Sequence, residues 1–201
     1  MRLRRKKKRR PPPQRRFPPE HYSHDECLAL MDACGDTWSG QRNRALIALL
    51  WRSGLRLGEA LAVMPKDIDW TGMAIRVLHG KGDKARTVNM DSHEAMVLTE
   101  WLKTRGEFPP TTPVICTRKG AALEQAYVRQ LMPRLAQRAG VHKRVHAHGF
   151  RHTYAVDLMR EGVNVRNIQV LLGHTSLAVT TVYLASLSPE EALDAVRGRE
   201  W

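Results

Sequence analysis

The chain has 201 residues and a formal net charge of +13 at neutral pH, enough length for one compact domain with a substantial core. No apolar run reaches the roughly 18–20 residues of a membrane-spanning helix, and the basic N-terminus is followed by no apolar segment of the secretory type, so neither a helical membrane protein nor a secreted one is expected. The three cysteines, Cys27, Cys34 and Cys116, form no CxxC pair and fit a reducing cytoplasm as small buried hydrophobes.

Ten Lys and Arg and no acid lie in residues 1–16, so residues 17–201 carry only +3 of the net charge. Residues 1–19, with Pro11-Pro12-Pro13 and Pro18-Pro19, read as a disordered basic tail that cannot bury apolar surface. Its expected partner is a polyanion, reached by counterion release from nucleic acid. One domain is expected over 20–201. Ser23 or Asp25 caps a first helix running to Gly35, with Cys27, Leu28, Leu30, Met31 and Cys34 on its apolar face. A second helix near 41–53 is apolar enough to be central to the core, and Gly54 breaks it before a short helix over Leu57–Val63. The period then changes to two. Ile68–Trp70, Met73–Leu78 and Ala85–Asn89, with turns at Asp69–Gly72 and Gly80–Asp83, predict a three-stranded antiparallel meander. Helices are expected near 92–105, 123–139, 148–161, 165–172, 176–185 and 189–196. Gly106, Gly140, Gly162 and Gly173 stand at their C-terminal ends, Asn164 and Ser188 at N-caps, and Pro133 predicts a kink or break. The fold class is mainly α with a small three-stranded antiparallel sheet.

Several side chains suit phosphate chemistry. His148 and Arg151 share a helix face at i and i+3, where a guanidinium fork grips two oxygens and an imidazole trades protons near neutral pH. His174 follows Gly173 at a break between helices, and Tyr183 stands nine residues further on. Arg56 lies in Ser-Gly-Leu-Arg-Leu-Gly-Glu, between stretches of core, with Glu59 three residues on either to orient it or to form a surface ion pair. Lys81 and Lys84 lie in a Gly-Lys-Gly-Asp-Lys turn between two strands. Taken singly each is ordinary: a surface Arg, a capping His, an amphipathic Tyr, a solvated basic turn.

Together, Ser-Gly-Leu-Arg56-Leu-Gly-Glu, Gly-Lys81-Gly-Asp-Lys, His148-Gly-Phe-Arg151-His-Thr and Leu-Gly-His174-Thr-Ser…Tyr183 resemble, in order and spacing, the catalytic domain of the tyrosine recombinase (phage integrase) family. The resemblance covers roughly residues 22–196. It implies the catalytic fold shared with type IB topoisomerases, double-stranded DNA as substrate, and site-specific cleavage and rejoining through a 3′-phosphotyrosyl intermediate, with integration, excision or inversion as the outcome. By the same resemblance Tyr183 is the nucleophile, Arg56 and Arg151 hold the non-bridging oxygens, and His174 donates to the phosphate. Lys81 protonates the leaving 5′-oxygen, with Lys84 second choice, and His148 assists proton transfer from the tyrosine. No metal, cofactor or ATP is called for. A homo-tetramer on two DNA sites is implied, with the helix near 189–196 packing on a neighbour, in a cytoplasmic, nucleoid-associated, bacterial or phage-encoded protein. The resemblance is to a short form without the family's N-terminal core-binding domain, similar to fimbrial phase-switch inversion recombinases, in which the basic tail would take over part of the DNA clamp. Two other readings compete: a non-catalytic DNA-binding regulator of a full-length recombinase, and a zinc site drawn from His142, His146, His148 and His152.

Overall fold

The computed structural model describes residues 21–78 and 85–173. The basic tail, Lys81 and Lys84, His174, Tyr183, and the helices expected at 176–185 and 189–196 with the Ser188 cap all lie outside the described residues.

Helix α1 (His24–Asp32) starts at Ser23, not Asp25. The Ser23 hydroxyl accepts the Glu26 N–H at 3.1 Å and the Glu26 carboxylate accepts the Ser23 N–H at 2.7 Å, a reciprocal cap. Lys143 Nζ donates to the same carboxylate at 2.8 Å, tying α1 to the segment that leads into α6. Helix α2 (Trp38–Trp51) begins three residues earlier than expected, because the Thr37 side chain accepts the Gly40 N–H at 3.1 Å. Ala45 to Trp51 are all buried, and α1, α3 (Leu57–Ala62), α4 (Ser92–Arg105) and α6 (Ala147–Arg160) pack around this helix. Leu46, Ile47, Leu49 and Leu50 are fully shielded, each contributing about 1.5–3 kcal/mol of transfer free energy. Burial also raises the thiols of Cys27, Cys34 and Cys116, that of Cys34 to about 12, so none reacts as a thiolate near neutral pH.

The sheet is the expected meander, one or two residues shorter at the strand ends. Strands β1 (Ile68–Asp69), β2 (Ala74–Val77) and β3 (Arg86–Asn89) pair antiparallel in that order, with Ile68 opposite Ile75 and Ile75 opposite Val88. Ile75, Val77 and Val88 face the core while Arg76 and Thr87 face solvent, the alternation that a half-buried strand requires.

Helix α5 (Gln125–Arg138) runs through Pro133 as one helix, so the break that was one of the two expectations there does not occur. Pro133 and Arg129, whose carbonyl loses its usual partner, are both on the exposed face, so water can serve that carbonyl. Val128, Leu131, Met132, Leu135 and Ala136, all buried, hold the helix on both sides of the proline. Helix α7 (Val165–Leu172) has the expected bounds, with the Asn164 side chain accepting the Arg166 N–H at 2.8 Å. Gly106, Gly140, Gly162 and Gly173 all have positive φ at the helix ends where they were expected.

One contact fixes α6. Tyr22, fully buried, lies edge-on to Phe150 at 5.0 Å and its phenol oxygen accepts the His146 N–H at 3.0 Å. Its backbone N–H donates to Thr153 Oγ1 at 2.8 Å. A Cβ on Gly149 would stand 1.9 Å from that phenol oxygen, so the glycine of His148-Gly-Phe-Arg151 is there for close approach. The start of the described chain is thereby wrapped onto the helix that carries Arg151.

Candidate active site

The site is organised by one carboxylate. Arg56 is the N-cap of α3, and Glu59, in the first turn, accepts the Arg56 N–H at 2.8 Å and Arg56 Nη1 at 2.7 Å. From β3, Arg86 donates Nη1 and Nη2 to the two Glu59 oxygens at 2.9 and 2.7 Å, a bidentate fork. From α6, Arg151 Nη1 stands 4.0 Å from Glu59 Oε2. The Glu59 side chain is only 4% exposed. Burial alone would raise its pKa, but hydrogen bonds from Arg86 and from the Arg56 backbone and side chain outweigh it and hold the carboxyl down at about 2. Glu59 is therefore not a surface ion pair; it orients guanidiniums. Three cations around one anion leave an excess of positive charge in a mostly dry place, which favours a bound anion.

The same three arginines clasp the end of α7. Arg86 Nε donates to the Leu171 carbonyl at 3.0 Å, Arg151 Nη2 to the Leu172 carbonyl, and Arg56 Nη2 to the Gly173 carbonyl at 3.0 Å. These are terminal carbonyls that the helix cannot satisfy itself, at its partially negative end. Arg151 is 1% exposed and also donates Nη1 to the Gly54 carbonyl at 2.6 Å. Its plane is thus fixed between the turn after α2 and the end of α7, immediately before residue 174 in the chain.

Of the residues singled out in the sequence, Arg56, Arg151 and His148 are brought together. Lys81, His174 and Tyr183, and the second-choice Lys84, lie outside the described residues. His148 is exposed on α6, yet the surrounding protein removes enough water to lower its pKa, and Arg151, His146 and Arg56 lower it further. A neutral imidazole that can accept a proton results. Arg86 was missed. The available signal was parity: it shares the strand face of buried Val88, and an arginine on a core-facing position needs a buried acceptor. The zinc reading has little to stand on. His146 Nδ1 is occupied as the α6 cap, accepting the Gly149 N–H at 2.9 Å, and His152 is buried beside His21. Among the described residues no three His, Cys, Asp or Glu are grouped to hold a metal ion, and no helix is long and apolar enough to cross a membrane.

The tyrosine recombinase XerC of Xanthomonas campestris pv. campestris (strain B100) is 36% identical over 165 residues, covering 82% of this chain and 51% of that protein. XerC of Bacillus pumilus (strain SAFR-032) is 36% identical over 151 residues, 72% of this chain and 49% of that one. The chain thus spans about half the length of the curated relatives it matches. Among solved structures, XerA recombinase superposes with a TM-score of 0.78 at 26% identity, covering 96% of this chain and 68% of that one. The XerH site-specific recombinase bound to its palindromic difH substrate, in a post-cleavage complex, gives 0.74 at 29% identity, covering 90% and 53%. The mainly helical architecture with its three-stranded antiparallel sheet is therefore the tyrosine recombinase catalytic fold. Residues 20–189 match the family model described as the phage integrase family, and the chain belongs to that family.

Proposed function

We propose that this chain is the DNA-cleaving and rejoining domain of a tyrosine-type site-specific recombinase, acting on double-stranded DNA. The observation that supports it most is the cluster of Arg56, Arg86 and Arg151 around Glu59, an anion-seeking centre joined directly to the segment that carries His174 and Tyr183. In the proposed step the Tyr183 oxygen bonds to the scissile phosphorus as the bond from phosphorus to the 5′-oxygen breaks. The phenol proton passes to His148, and Lys81, or Lys84 in its place, supplies the proton that the 5′-oxygen takes up. Arg56, Arg151 and His174 stabilise charge on the non-bridging oxygens. Side-chain cations fill the role that a metal ion plays elsewhere in phosphoryl transfer, so the step calls on no cofactor, and the phosphotyrosyl ester keeps the bond energy for rejoining without ATP. Residues 20–201 act as the catalytic domain, working in the cytoplasm on DNA as a homo-tetramer assembled on two sites.

A nicked suicide DNA should trap wild-type protein as a covalent adduct, and Tyr183→Phe should abolish it. Trapping that survives this substitution would defeat the assignment of the nucleophile. Wild-type protein that binds DNA and forms no adduct would point to the non-catalytic regulator. Removing residues 1–16, with their ten cations, should weaken binding nearly equally on all DNA sequences. The slope of log K against log salt should flatten by about 0.9 for each phosphate that the tail had neutralised. A salt slope unchanged by the deletion would exclude the tail from the interface.

A further inference from the structure

A second carboxyl is buried behind the arginine cluster. Glu94, in the first turn of α4, is fully buried. Ser53 Oγ lies 2.9 and 2.7 Å from its two oxygens and 3.2 Å from the Asn89 carbonyl oxygen. Ser53 has a single proton to donate. Were Glu94 ionised, its two buried oxygens would have that one proton between them, leaving an acceptor of a charged group unsatisfied in a dry interior. A protonated Glu94 resolves this: it donates to Ser53, and Ser53 donates to Asn89. The groups that face Glu94 are mixed in sign. Asp91 on its own helix repels a second negative charge, Arg52 from the end of α2 attracts one, and Tyr154 from α6 is a neutral phenol, pushed up to about 12 by burial and then by Glu94 and Glu161. The free N–H groups at the start of α4 favour the charged form, but burial outweighs them and raises Glu94 to about 8.

What Glu94 holds gives it a role. Arg52 is ion-paired to Asp91, and Ser53 sits on Glu94, so the turn after α2 is fastened at two points to the start of α4. The next residue is Gly54, whose carbonyl receives Arg151, and then Leu55, whose N–H closes the turn on the Leu49 carbonyl at 3.2 Å. A cavity of about 380 Å³ lined by Arg52, Asn89, Asp91 and Tyr154 adjoins this corner. We propose that Glu94 is a positioning residue: as a neutral acid it fastens the Ser53–Gly54 turn that aims Arg151, and its ionisation releases that turn. The consequence for DNA cleavage rests on the recombinase reading; the behaviour of the turn does not.

The test reads the turn and the reaction separately, in the full chain. The ¹³C carboxyl resonance of Glu94 in wild-type protein should titrate with a midpoint near the raised value of about 8; a midpoint in the ordinary carboxylate range overturns the proposal. Hydrogen exchange at Leu55, whose N–H is bonded to the Leu49 carbonyl, corrected for the intrinsic rate, should lose protection by about tenfold between roughly pH 7 and pH 9, and should stay within about twofold in Glu94→Gln. Equal loss in both proteins overturns it. Ser53→Ala, which leaves Glu94 in place, should expose the Leu55 amide already at neutral pH; unchanged protection overturns it. On nicked DNA the rate of adduct formation should fall over the same alkaline range with DNA affinity unchanged, and Glu94→Gln should remove that fall. If the wild type forms no adduct at any pH, the recombinase reading fails alone, while the resonance and the exchange profile still decide the role of Glu94.

Discussion

Glu59→Gln should cost about 3–5 kcal/mol of unfolding free energy, because it leaves buried cations without their anion while changing almost no volume. The wild-type carboxylate accepts from Arg56 and Arg86 and stands 4.0 Å from Arg151. A glutamine offers one acceptor oxygen and, in its amide, donors that face other donors. Arg86 loses its fork, and the clasp of all three arginines on Leu171, Leu172 and Gly173 is strained by unscreened repulsion. The pH dependence identifies the cause. The folded carboxyl is held at about 2 against an unfolded value of 4.5, so the unfolded chain binds more protons between those limits. The stabilisation is fully present above the unfolded value and is lost as pH falls towards the folded one. Denaturant unfolding, followed by the fluorescence of the buried Trp51 and Trp101, should show that acid limb in the wild type and a flatter one in Glu59→Gln. Equal acid sensitivity in the two proteins would mean that Glu59 does not carry the charge balance of the site.

The fold was legible in the sequence because its punctuation is local. Ser23, Asn164 and the glycines at 106, 140, 162 and 173 mark helix ends by chemistry that acts within a turn, and the alternation of Ile75, Val77 and Val88 announces strands. Pro133 misled because the consequence of a missing N–H depends on which face it lies on, and that face is set by distant packing. The site divides the same way. Arg56 and Arg151 were singled out by motif spacing, but nothing local tells whether Glu59 is solvated or buried. That depends on β3 bringing Arg86 across from 27 residues away. The Glu94–Ser53 pair, 41 residues apart, was unreadable for the same reason: a glutamate three residues after an Asp cap looks like an ordinary first-turn acid until α2 is laid over it.

Gly54→Ala should be nearly as damaging as loss of Glu59, through sterics alone. Gly54 has φ of +60°, where an L side chain is strained by about 1–2 kcal/mol. A Cβ there would stand 2.2 and 2.7 Å from Cδ1 and Cε1 of Tyr154, an overlap of a kind that costs a further 1–3 kcal/mol or so. Tyr154 cannot yield easily, since it belongs to the apolar cluster with Ala155, Ile168 and Leu172 that joins α6 to α7. At roughly 2–4 °C per kcal/mol for a chain of this size, the melting temperature should fall by about 4–20 °C. The displacement also has a direction. Pushing residue 54 away from Tyr154 moves the carbonyl that receives Arg151, so the rate of covalent capture on nicked DNA should fall more than DNA affinity does. A double-mutant cycle separates the two steric terms. Tyr154→Ala removes the ring and leaves φ untouched, so in its presence Gly54→Ala should cost only the backbone strain, and the two changes should couple by about the size of the overlap term. Additive losses would show that the turn, not its contact with α6, is what glycine protects.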